Sequence, residues 1–196
     1  MDPDRAFIQR GGFAAYAVAG LSVLYAIVYL GFVRSDPTNA NAAAVSWALI
    51  ALGALSAAFA TAAVGAYLGG ATGNFITALG VAYALLSATH GAFSAIGDMQ
   101  GFADLDLSPT DPRGFATFGL AGVWLIVVAR ELARRTDLRP RYSQLAMVAG
   151  IDLLLLFVAT VIGNTPLILV TGGLASVVLG PVFWAMTGRL LSAEPS

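Results

Sequence analysis

The chain has 196 residues, 58% of them hydrophobic and 11% charged, with a mean hydropathy of +0.81 and a formal net charge of -1. Water-soluble domains carry about a quarter charged residues, so this composition cannot clothe a globule in water, and it offers nucleic acid no basic surface. With no cysteine there is no disulfide, thiolate metal site or thiol nucleophile.

The first apolar segment runs from about 11 to 33. It is long enough to span a bilayer, and Asp2 and Asp4 spoil a basic leader, so it reads as a retained helix. The turn-rich RSDPTNAN follows, and the 61 residues between Asp36 and Asp98 contain no charged side chain. They divide into a second helix at about 43–68, rich in Ala, Gly and Ser, and a third at about 75–96, joined by GGATGN. The small residues let backbones approach closely in lipid and place the second helix centrally in a bundle. The segment DMQGFADLDLSPTDPR follows, where Pro109 and Pro112 oppose helix. A fourth helix is read at about 114–132, a fifth at 145–162 and a sixth at 166–191. In GNTP, Asn164 and Thr165 read as a cap with Pro166 at the first helical position. Trp47 and Trp184 read as membrane-interface anchors.

The expected fold is therefore all-α, a polytopic six-transmembrane-helix bundle forming one integral membrane domain over 1–196. Eight arginines (5, 10, 130, 134, 135, 139, 141 and 189) fall on the side shared by both termini, against Arg34 and Arg113 on the other. That bias puts both termini in the cytoplasm and the protein in a prokaryotic plasma membrane. The cluster Arg134, Arg135, Arg139 and Arg141 is placed to meet anionic lipid headgroups. GFAAYAVAGL (12–21) and GFATFGLAGV (114–123) share five of ten positions. Three helices apart, they have the arithmetic of a 3+3 inverted repeat.

At 100° per residue Tyr83, Ser87, His90, Ser94 and Asp98 fall within about 80° on one face of the third helix. Such a stripe must face other helices or water. Read functionally, it is a polar lane with His90 as a proton acceptor; read structurally, it is a set of interhelical hydrogen bonds. Eight residues of helix span about 12 Å, so His90 and Asp98 cannot touch directly. Asp152, within IDLLLLFV of the fifth helix, is the other intramembrane acid, with Tyr83, Ser87, Ser56 or Thr61 as candidate partners. A lone histidine supplies neither bis-histidine haem ligation nor a zinc site, and the absence of lysine excludes a Schiff base. No cofactor and no metal site are expected. In DLDLSPTD, Pro109 takes the place where a calcium loop needs glycine.

THGAF, with Asp98 beyond it, and LGPVFWAMTGRLL resemble motifs of uncharacterised prokaryotic six-helix membrane proteins grouped as a domain of unknown function. The resemblance rests on His90, Gly91 and Asp98, then Gly180, Pro181, Phe183, Trp184, Gly188 and Arg189, and implies layout without an activity. The sequence points first to small-solute or proton-linked transport or sensing along the third helix. A structural or accessory subunit is the alternative. An intramembrane lipid-modifying enzyme is less favoured, because clustered acids and a nucleophile–base pair are missing.

Overall fold

The computed structural model describes residues 3–101, 112–135 and 140–193. The acidic loop string at 104–111 and Arg139 lie outside the described residues, as do the calcium reading and one member of the arginine cluster. Among the described residues the chain is all-helical. Its helices are α1 (Pro3–Val28), α2 (Ala40–Leu68), α3 (Gly70–Gln100), α4 (Pro112–Ala133), α5 (Pro140–Val161), α6 (Thr165–Leu174) and α7 (Gly180–Ser192). A π-helical turn, Tyr29–Val33, extends α1, and another, Ala175–Leu179, joins α6 to α7. The result is six rods, five of them long and apolar enough to cross a membrane. The 29 residues of α2 reach about 44 Å, more than the roughly 30 Å hydrocarbon core of a bilayer.

Local chemistry sets the ends. The Asp36 carboxylate accepts from the Thr38 amide and hydroxyl, turning the chain, and Asn39 caps α2 by accepting from the Ala42 amide at 3.0 Å. Gly69 and Gly70, at φ +72° and +62°, are the entire α2–α3 turn. GGATGN is therefore mostly helix: α3 begins at Gly70 rather than near Phe75, because Gly69 already accepts from the Gly73 amide. Gly163 (φ +68°) ends α5, and Asn164 caps α6 by accepting from the Leu167 amide at 3.1 Å, with Pro166 in the second helical position. The second π turn precedes Pro181, which has no amide to donate to Val177. The Gly180 amide reaches back five residues to Ala175 instead.

Each rod packs against its neighbours in sequence, and α7 closes the ring onto α1. The closest seam is α2–α3. A Cβ on Gly73 would come within 2.3 Å of the Gly65 carbonyl, one on Gly80 within 2.6 Å of Thr61 Cβ, and one on Gly91 within 2.9 Å of the Trp47 carbonyl. α4 and α5 approach in the same way, Gly122 and Gly150 each standing against the other's carbonyl. Small residues here replace side-chain packing with backbone contact. The central place expected for α2 is not what the ring gives it: α2 stands between α1 and α3, with Ala57, Ala60, Thr61, Ala63 and Val64 buried on its inner faces and Val45, Leu52 and Leu55 exposed on its outer one. Bulky residues of the outer rods stay exposed, among them Phe13, Ile162, Leu169 and Val170.

Candidate functional site

The polar face of α3 points inward. Tyr83, His90 and Ser94 are buried, and Ser87 and Asp98 are half-buried. The stripe does not, however, face one neighbour. At its far end it meets α2, where the His90 ring stands edge-on to Trp47 at 5.1 Å between centroids. The register that opposes Gly91 to Trp47 and Ala51 carries on to bring Ser46 level with Ser94 and Ala42 level with Asp98. Ser46 Oγ, Ser94 Oγ and Asp98 Oδ2 are all buried without a hydrogen-bond partner among the described residues. Each such oxygen in an apolar interior costs about 1–3 kcal/mol. Three of them on one seam, beside an imidazole, form a concentrated demand for a hydrogen-bonding guest.

At the other end Tyr83 turns toward α4. Its ring lies 5.6 Å from that of Trp124, which stacks on Trp184 (5.8 Å, 19°) and meets Phe183 edge-on. Trp124 is 1% exposed, and its indole N–H donates to the Ile76 carbonyl at 3.1 Å. That carbonyl is within reach only because Gly80, one turn on, has no side chain: a Cβ there would sit 2.6 Å from the indole nitrogen. Thr187 donates to the Phe183 carbonyl at 2.8 Å, so its oxygen receives the Tyr142 hydroxyl. Tyr142 in turn stacks on Phe183. Four of these aromatics, Tyr83 of α3, Trp124 of α4 and Phe183 and Trp184 of α7, line a cavity of about 130 Å³, completed by small and aliphatic residues of α4, α5 and the second π turn; Tyr142 stands behind Phe183, outside its wall.

Asp152 joins neither group of α3. It is 6% exposed, and its Oδ2 is buried without a partner among the described residues. On α5 it shares a face with Leu156, which packs near Gly172 of α6, so the acid lies on the flank toward the last rod. Among the described residues α4 packs against both α3 and α5, which face each other across the aromatic cavity through Tyr83, Ala149 and Leu153. The expected hydroxyl partners on α2 serve their own helix, Ser56 donating to Leu52 and Thr61 to Ala58.

One further expectation is corrected. Trp184 is not an interface anchor; at 8% exposure it stacks on Trp124 in the core. Arg135 donates to the Leu68 carbonyl at 2.8 Å, closing the C-terminal end of α2, and its guanidinium lies 5.1 Å above the Tyr67 ring. Arg134 and Arg141 are exposed, the former in an i,i+3 pair with Glu131 at 3.4 Å. Sequence reasoning missed Trp124, the hub of the aromatic group. A signal was present in its position two residues after Gly122, on the helix whose glycines make the closest contacts with α5. No group of three or more His, Asp or Glu side chains suited to a metal exists among the described residues. The chain matches no family model, no curated protein and no solved structure.

Proposed function

We propose that the protein is a multi-pass plasma-membrane protein that moves or senses a small solute or proton along the polar face of α3. The observation that carries this reading is the unpartnered set of buried oxygens on Ser46, Ser94 and Asp98 beside His90. Intramembrane polar groups that face the bundle, and not lipid, line pathways and relays. In this reading both termini are cytoplasmic, as the arginine distribution favours. The seam then opens outward, and Arg134, Arg135, Arg139 and Arg141 meet anionic headgroups, Arg135 also holding the α2–α3 turn.

The reading of α1–α3 and α4–α7 as an inverted repeat is supported by the matched segments 12–21 and 114–123. The aligned glycines have diverged in use: Gly122 is pressed against α5, whereas nothing approaches within 4 Å of a Cβ on Gly20.

A structural or accessory role is the second reading, favoured by the tight backbone contact of Gly91 with α2 next to the same polar groups. A cysteine-free chain makes the test direct. Ser46→Cys and Ser94→Cys, each as the sole cysteine, are exposed to a membrane-impermeant thiol reagent in right-side-out vesicles. Transport or sensing requires that both react from the outer side and that His90→Ala alters their rates. Two inert thiols in folded protein would leave the accessory reading.

A further inference from the structure

The aromatic cavity stands apart from the polar seam. We infer that it is a binding site for a small, uncharged, single-ring aromatic molecule carrying one hydroxyl, a ligand of the phenol class. Size is the first argument. The cavity holds about 130 Å³, and an apolar protein cavity of about 150 Å³ takes up benzene. Shape and surface are the second. Its wall carries the faces and edges of Trp124, Phe183 and Trp184 and the methyl of Ala121, with no charged side chain. Aromatic rings prefer offset-stacked or edge-to-face neighbours, and this wall offers both.

Polarity is the third argument. Tyr83 is the lining residue that brings a hydroxyl, and the neighbouring indole N–H of Trp124 is already committed to the Ile76 carbonyl. A ring with a hydroxyl at its edge pairs with Tyr83, and a second polar group would find no such partner on this wall. Access is the fourth. Ala175 and Leu179 of the π turn line the cavity, while Val177 and Val178 between them are exposed on the outer surface. A single π-helical turn is thus the wall between the cavity and the lipid-facing side, and π turns of this kind recur at functional sites. An uncharged ring compound dissolves in lipid and meets that wall directly.

The test uses fluorobenzene and 4-fluorophenol, followed by fluorine NMR on the whole chain in nanodiscs, with empty nanodiscs as the partition reference. The expected result is a saturable shifted signal for both, with 4-fluorophenol bound about two- to tenfold more tightly, the worth of one net hydrogen bond. Ala121→Leu fills the cavity and weakens both about tenfold or more, as overpacking does. Ala149→Val, a smaller insertion on another wall, takes its place if Ala121→Leu does not fold. Tyr83→Phe leaves fluorobenzene unchanged and brings the two affinities together. Non-saturable signals matching empty nanodiscs, or equal binding in a folded cavity-filling variant, would overturn the site. An unchanged affinity ratio in Tyr83→Phe would overturn the hydroxyl assignment.

Discussion

Two helical hairpins in this molecule have turns of one to three residues and opposite character. α2 and α3 lie backbone against backbone through Gly65, Gly73 and Gly91, and Gly80 admits the Thr61 side chain between them. α5 and α6 diverge after Gly163, and the nearest atom to a Cβ on Gly172 is a Leu156 methyl at 3.7 Å. Val161, Ile162, Leu169 and Val170 of the second hairpin are each at least 60% exposed. The more hydrophobic hairpin is the looser one. Lipid tails satisfy valine and leucine as well as a protein neighbour does, so bulky apolar side chains give helices little reason to associate. Glycine and alanine gain close contact that lipid cannot supply.

The largest effect that would test this contrast is at the tight seam. Gly73→Val drives a side chain into the Gly65 carbonyl, with an expected loss of about 3 kcal/mol or more and failure to run as a single species in detergent. Gly173→Val in α6, where a Cβ meets nothing within 4 Å, is expected to shift thermal stability by no more than about 0.5 kcal/mol. Equal losses at both positions would end the comparison.

Next is the bridge from α3 to α4. Trp124→Phe removes the indole hydrogen bond to Ile76 and the stack on Trp184, for an expected cost of about 2 kcal/mol by thermal unfolding. Tyr142→Phe removes one donor, and Thr187 keeps its own bond to Phe183. About 1 kcal/mol is expected, which urea unfolding in mixed micelles resolves.

The smallest pair sharpens the comparison at the ends of the rods. Arg135→Ala uncovers the Leu68 carbonyl and the Tyr67 face and is expected to cost about 1 kcal/mol. Arg134→Ala breaks only an exposed pair with Glu131 and should cost about 0.5 kcal/mol or less. Should the two match in paired melting curves, Arg135 is no clamp on the tight hairpin.

The six rods were legible because charge is absent from long apolar runs, and the α5–α6 turn because Gly163 and Asn164 have turn and capping chemistry of their own; the caps at Asn39 and Gly101 lie four and five residues beyond the ends that hydropathy drew. The start of α3 was not legible. Ala71 to Asn74 look like loop residues, and only the approach of Gly73 to Gly65 explains why they are helical. The inward face of α3 followed from a 100° periodicity, but hydropathy does not say which helix a face meets. It therefore did not separate the His90 end, against α2, from the Tyr83 end, against α4. Nor did it tell a tryptophan at a membrane interface from one in a core, which is why Trp184 was misplaced and Trp124 passed over. Asp152 was visible as an anomaly, and its distance from the α3 stripe came only from the ring order of the helices.

The bond from Arg135 to Leu68 also bears on the order in which the protein is built. The turn at Gly69 and Gly70 has no charged residue of its own, and the guanidinium that holds it lies 67 positions further along the chain. While a ribosome is still making α4, the α2–α3 hairpin has its internal glycine contacts and its packing on α1, but its turn is not yet held. The clamp on that turn waits for α4 to be completed, so the most tightly packed hairpin is fastened at its end only after a fourth helix has been added.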